Sequence, residues 1–186
     1  MPSSANEGKL LFEDWFQTFK DQISTVLDVG PGLGIYCDII KSVKPEACVE
    51  AVEIFAPYVD RYCLLEKYGT IYVCDIQKAA FAETVYDLII LGDVLEHLNK
   101  DEAIQTWVRL KQRTKFLWLS LPLAPFRPWF RGYGHLGQPE TDYKENIYEK
   151  HLYEWQYEEL LKTLGPFLWQ FPFRTVGVFV AEGGIT

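Results

Sequence analysis

Residues Val26–Gly34 read Val-Leu-Asp-Val-Gly-Pro-Gly-Leu-Gly, an apolar strand that runs directly into a turn with glycine at every second position. Glycine suits a sharp turn because it adopts positive φ at no steric cost, and because a ligand can approach a backbone that has no Cβ. The stripe Tyr36, Ile39, Ile40, Val43 makes the next segment a helix, whose first N–H groups and positive dipole end face the turn. Strand, glycine turn and helix in succession favour a parallel α/β sheet over an all-α or all-β fold. The spacing restricts the ligand. A dinucleotide fingerprint, GxGxxG, needs glycine at position 35, where the chain has Ile35, and no Lys-Ser or Lys-Thr follows to complete a phosphate loop. A glycine turn that binds nothing is the remaining alternative.

The surrounding pattern agrees. Phe12, Trp15, Phe16, Phe19 and Ile23 fall at helical steps. Apolar runs at Thr25–Val29, Cys48–Glu53, Ile71–Asp75, Asp87–Leu91 and Lys115–Leu121 predict five strands. The stripes Val59, Tyr62, Cys63 and Ile104, Trp107, Val108 predict helices between them. The succession Leu88, Ile89, Ile90, Leu91 is apolar on both strand faces, as in a parallel sheet covered by helices. The end of the chain departs from this alternation. A helix through Tyr157, Leu160, Leu161 and Leu164 stops at Gly165-Pro166, and Phe167–Phe173 and Val176–Glu182 follow as a hairpin. The expected fold is therefore α/β: a doubly wound, seven-stranded, mostly parallel sheet with helices on both faces, ending in an antiparallel hairpin.

With 186 residues and no visible linker or repeat, one domain spanning residues 1–186 is expected, with a lid-like insertion at about 122–151. The net charge of −8 argues against nucleic-acid and anionic-membrane partners. The start lacks a signal-peptide pattern and no apolar stretch is long enough to span a membrane, so a cytoplasmic protein is expected. Cys37, Cys48, Cys63 and Cys74 contain no CxxC pair and lie in or beside apolar runs, which predicts buried, reduced thiols rather than a zinc site. Aromatic residues make up 16% of the chain, an excess that predicts a stacked core or an aromatic-lined site.

The glycine turn, with Asp28 two residues before Gly30 and the series Gly30, Gly32, Gly34, resembles the first motif of the class I S-adenosylmethionine-dependent methyltransferases. The resemblance extends from about Thr25 to Glu182 and implies S-adenosyl-L-methionine as cofactor. It implies that Glu53, at the end of the second strand, accepts hydrogen bonds from the ribose hydroxyls. Asp75, at the end of the third, would accept from the adenine amino group, with Ile76 adding a backbone contact and Ile54 and Phe55 enclosing the ring. Gly92 and Asp93, after the fourth strand, would hold the methionine ammonium. Any one of these acids also reads as a solvated turn residue; their recurrence at successive strand ends is what carries the resemblance.

The acceptor side is less constrained. Methyl transfer from a sulfonium is an in-line displacement that needs positioning first, and a base only for a weak nucleophile such as an alcohol. The run Asp93-Val-Leu-Glu-His-Leu98 resembles small-molecule and sugar-pathway members of the family. His97 is a candidate base near neutral pH, and pairing with Glu96 or capping the next helix are its structural alternatives. The same run resembles a shortened copy of the ExxEH sequence of some metal-assisted relatives, with Asp93, Glu96 and His97 as the hard ligand set and His151 or His135 as a distal ligand. No metal ligand is assigned on that basis. The 122–151 segment contains Phe126, Trp129, Phe130, Tyr133, Tyr143, Tyr148 and a second catalytic candidate, His135, and its charges cancel. The reading is thus an O-methyltransferase of small acceptors. The alternatives are a protein or RNA methyltransferase that needs a partner, and a methyltransferase-like binding module without catalysis.

Overall fold

The computed structural model describes residues 6–79, 84–124, 145–173 and 176–185. Its strands are β1 (Thr25–Val29), β2 (Cys48–Glu53), β3 (Thr70–Val73), β4 (Tyr86–Gly92), β5 (Thr114–Pro122), β6 (Trp169–Pro172) and β7 (Val176–Glu182). Its α-helices are α1 (Asn6–Phe19), α2 (Ile35–Val43), α3 (Pro57–Arg61), α4 (Lys100–Lys111) and α5 (Tyr157–Leu164). The seven strands form one sheet in the order β3-β2-β1-β4-β5-β7-β6. The pairs from β3 to β5 are parallel, and β7 is antiparallel to both β5 and β6. The doubly wound fold with a terminal antiparallel hairpin is the one the sequence predicts.

Strand alternation divides the core into two. On one face, Leu27, Ile89, Leu91, Leu117 and Leu119 pack against Trp107 and Leu110 of α4 and Leu160 and Leu164 of α5. On the other, Val26, Leu88, Ile90, Phe116 and Trp118 meet Phe12 and Phe16 of α1 and Tyr36 and Ile40 of α2. Much of the aromatic excess belongs to this second layer. Phe12 stands edge-on to Tyr36 and to Trp118, with ring centroids 4.9 and 5.0 Å apart, and Trp15 lies 5.4 Å from Trp118. Edge-to-face contacts of this kind add to the burial of large apolar area. They fix α1 across the sheet over β5.

Several expectations change at element ends. Ile23 is fully buried but does not belong to the first helix, because a 3-10 turn at Lys20–Gln22 ends it and turns the chain into β1. α3 closes at Arg61, so Tyr62 and Cys63 lie beyond it, Cys63 at φ +51 ahead of a 3-10 turn at Leu64–Glu66. β3 stops at Val73, two residues short of Asp75, and β6 covers less than Phe167–Phe173. The four thiols are free, but only Cys37 is buried; Cys48, at the exposed start of β2, and Cys63 face solvent, and Cys74 is half-buried. Most of the predicted 122–151 lid, including 125–144, lies outside the described residues. No helix among the described residues is long and apolar enough to cross a membrane.

Trp118 is fully buried at the centre of the aromatic layer. Trp118→Ala is expected to cost about 3–5 kcal/mol, read as a fall in the urea midpoint at unchanged slope.

Candidate functional site

The chain leaves β1 towards β2 and β3 and returns on the other side as β4, so the direction of winding reverses between β1 and β4. In open α/β sheets, ligands bind at this reversal, outside the carboxyl ends of the strands. The glycine turn lies there. Gly30, Gly32 and Gly34 all have positive φ, +65°, +53° and +73°, which accounts for glycine at every second position. The Gly30 N–H donates to the Val52 carbonyl (2.9 Å), and the Gly34 N–H to that of Pro31 (2.8 Å), so the turn is tied to β2 and closed on itself where α2 begins.

Asp28 is 1% exposed beneath this turn. One carboxylate oxygen accepts from the Tyr68 hydroxyl at 2.6 Å, and the other has no hydrogen-bond partner among the described residues. Burial pushes its pKa up to about 7, against the opposing effect of the Tyr68 hydrogen bond. Glu53, at the end of β2, is 4% exposed and accepts from the Phe55 N–H at 2.7 Å. Its pKa is likewise raised to about 7, by burial first, then by the nearby Glu149 charge. Ile54 is exposed beside it, and Phe55 stands edge-on to Tyr58. Asp75 is half-buried in a turn past β3, where it accepts from the Gln77 N–H at 2.9 Å. Ile76 is buried, and its carbonyl accepts from the Arg109 guanidinium.

At the end of β4, Gly92 leaves room for the Tyr36 ring: a Cβ there would stand 2.4 Å from Tyr36 Cε2. The Tyr36 hydroxyl is 3.0 Å from Ser120 Oγ. Asp93 follows at φ +57°, a left-handed conformation, with its N–H bound to the Ser120 carbonyl at 2.8 Å. The winding reversal thus brings Asp28, Gly30, Gly32, Gly34, Glu53, Asp75 and Asp93 to the carboxyl end of adjacent strands.

A second group forms just beyond, on the 3-10 turn Leu95–His97. Glu96 is 1% exposed, and neither of its carboxylate oxygens has a hydrogen-bond partner among the described residues. Burial first, then the charges of Asp93 and Glu149, holds this carboxyl well above the usual carboxylate range. The Glu96 carbonyl accepts from the N–H groups of Leu152 (2.8 Å) and Tyr153 (3.1 Å), which pins the segment carrying His151 against it. His97 Nδ1 lies 3.2 Å from the Lys150 carbonyl, and its ring stands edge-on to that of His151, 4.8 Å between centroids. Ligand atoms of Glu96, His97 and His151 all fall within 4.8 Å of one another. The grouping differs from Asp93, Glu96 and His97: His151 takes the third place. Nor does His97 cap the following helix, since the Asn99 side chain accepts from the Glu102 N–H there. His135 lies outside the described residues.

Sequence reasoning missed Lys9, Tyr68 and Glu149. Lys9, on the first turn of α1, is half-buried and feels the charges of Asp93 and Asp28. In the sequence it reads as a solvated lysine at a helix start, and only the packing of α1 across the sheet brings it to the cleft.

Residues 27–118 match the family model described as a methyltransferase domain. The chain carries a methyltransferase domain. The matched region runs from within β1 into β5 and contains both the glycine turn and Glu96-His97, while Lys9 and His151 lie outside it. No curated protein matches in sequence. Among solved structures, the N-terminal domain of EvdMO1 with SAH bound is 12% identical, with a TM-score of 0.67 over 97% of this chain and 82% of that one. The mitomycin 7-O-methyltransferase MmcR is 15% identical, with a TM-score of 0.62 over 94% of this chain and 54% of its own. SAM-bound CalS10, an amino pentose methyltransferase from Micromonospora echinaspora, is 17% identical, with a TM-score of 0.53 over 66% and 52%. At these identities the likeness is one of fold.

Asp28 and Glu53 bind protons more tightly folded than unfolded, so the ligand-free methyltransferase domain should lose stability as pH rises from about 4 to about 7. Tyr68→Phe removes the hydroxyl that donates to Asp28. It is expected to destabilise by about 1–3 kcal/mol, more at pH 8 than at pH 5, where the buried acid is protonated; denaturant melts at the two pH values measure the difference.

Proposed function

We propose that the chain transfers a methyl group from S-adenosyl-L-methionine to a small-molecule or sugar-type acceptor, to oxygen before nitrogen or carbon. The observation that carries this reading is the positive-φ glycine turn at the winding reversal, with buried Glu53 on the adjacent strand end. In this reading Gly30, Gly32 and Gly34 admit the methionine end of the cofactor and Asp28 supports the turn from below. Glu53 accepts from the ribose hydroxyls, Asp75 and the Ile76 N–H bind the adenine edge, Ile54 and Phe55 cover its faces, and Asp93 holds the methionine ammonium. The cofactor supplies an electrophilic methyl group on sulfur. The protein holds the acceptor about 3 Å away and in line, and His97 receives the proton that the acceptor hydroxyl gives up. The net charge of −8 favours a small acceptor over a nucleic acid, and a sugar and an O-methyl acceptor appear in the names of two fold neighbours.

Isothermal titration with S-adenosylhomocysteine tests the cofactor reading. Because Glu53 must ionise to accept two hydrogen bonds and titrates at about 7, the Kd should fall roughly tenfold between pH 6 and pH 8. Glu53→Gln should bind more weakly and lose most of that dependence. No binding by the wild type sinks the reading. Binding without methyl transfer to any glycan, small-molecule, peptide or RNA pool would favour a non-catalytic module.

A second reading has its own observation, the buried Glu96 carboxylate, without hydrogen-bond partners among the described residues, beside two imidazoles. A carboxylate and two histidines suit a divalent cation. In the tautomer that donates Nδ1–H to the Lys150 carbonyl, His97 carries its lone pair on Nε2, the arrangement common for metal-binding histidine. Such an ion would orient an acceptor hydroxyl and lower its pKa. Mn²⁺ or Zn²⁺ added to chelator-treated protein is expected to raise the Tm, and Glu96→Gln with His151→Ala to abolish the shift. An unchanged Tm, with methyl transfer that survives exhaustive chelation, counts against the metal.

A further inference from the structure

The proposed cofactor carries a carboxylate as well as an ammonium and a sulfonium, and the cleft described so far offers that carboxylate little. Asp28, Glu53 and Glu96, all buried, and Asp93 after β4 give the cleft a negative charge. Backbone N–H groups at the glycine turn supply only partial positive charge. A cation must come from outside the strand ends.

α1 brings one. The ideal Cβ position of Gly8 lies 3.6 Å from Ser120 Cβ and 3.5 Å from Val178 Cγ2, which seats the first turn of the helix against the ends of β5 and β7. Ser120 in turn holds the Asp93 N–H through its carbonyl and meets the Tyr36 hydroxyl through its side chain. Lys9 is the next residue. It is half-buried, and the charges of Asp93 and Asp28 both act on it. The position is unfavourable for a lysine in isolation. An ammonium in the first turn of a helix opposes the helix dipole, and burial lowers the Lys9 pKa by more than the two acids raise it. A further anion would relieve both penalties.

We propose that Lys9, delivered by α1 against Ser120, binds the methionine carboxylate of the cofactor and makes α1 part of the cofactor site. This rests on S-adenosylmethionine as the ligand, and it adds a residue that lies outside the methyltransferase-domain match. The competing role for Lys9 is structural neutralisation of Asp28 and Asp93, which needs no contact with the ligand.

Two ligands separate these roles: S-adenosylhomocysteine and its decarboxylated analogue, the corresponding thiopropylamine, which keeps the adenosine, sulfur and amine. Titration of the wild type, Lys9→Gln and Lys9→Arg with each is the experiment. Lys9→Gln should weaken S-adenosylhomocysteine roughly ten- to hundredfold and leave the analogue unchanged or slightly tighter, since the nearby acids then face its ammonium alone. Lys9→Arg should recover part of the loss for S-adenosylhomocysteine. Equal losses for both ligands, or none for either, overturn the carboxylate contact while leaving the cofactor reading intact. Failure of the wild type to bind S-adenosylhomocysteine overturns both. Ligand-free melts of the variants show whether a loss reflects unfolding, and should Lys9→Gln not fold, the wild-type and Lys9→Arg preference for S-adenosylhomocysteine over the analogue decides: no preference overturns the proposal.

Discussion

The parallel pairing of β1 with β4 is the constraint on which the rest depends. It places the winding reversal between two strands whose next residues are Gly30 and Asp93, both with positive φ. Because the register aligns Val29 with Leu91, Gly30 comes level with Gly92, and the Asp93 turn opens one residue further along. The hydrogen bond from the Gly30 N–H to Val52 adds the end of β2, and that from the Asp93 N–H to Ser120 adds β5. Four strand ends are thereby held in one backbone frame.

That frame carries an unusual electrostatic load. Asp28, Glu53 and Glu96 are almost wholly withdrawn from water, and burial is the largest influence on each. Buried carboxyls of this kind are costly unless something meets them. Tyr68 meets one oxygen of Asp28 and the Phe55 N–H one of Glu53; Glu96 has no such donor among the described residues. Strongly perturbed acids grouped in a cleft point to ligand chemistry more than to stability.

The strands, their order of appearance and the glycine turn were legible in the sequence because short continuous apolar runs and glycine spacing report directly on burial and φ. Glu53 was legible because it terminates a run that had to be a strand. Asp75 was placed less well, since the β3 ladder ends at Val73 and nothing in Ile71–Asp75 marks that stop. The cysteines were misjudged for a related reason: Cys48 and Cys63 adjoin apolar runs but occupy a strand start and a left-handed turn. Lys9 was beyond local pattern, and for His151, offered by the sequence only as one of two distal candidates, the choice over His135 was too. Each depends on packing across long stretches of chain, α1 over β5 and the Lys150–Tyr153 backbone against Glu96.

The base of the segment between β5 and α5 has a consequence of its own. Leu123 pairs with Trp155 as an isolated bridge, and the Ala124 N–H donates to the Trp155 carbonyl at 2.7 Å. Trp155 is itself fully buried in the core. The thirty intervening residues therefore leave and rejoin the sheet through one fastened neck. Loop closure depends only weakly on length once the ends are fixed. The length and sequence of that segment can therefore change at little cost in loop closure, while the ends of β1, β2, β4 and β5 keep their backbone frame.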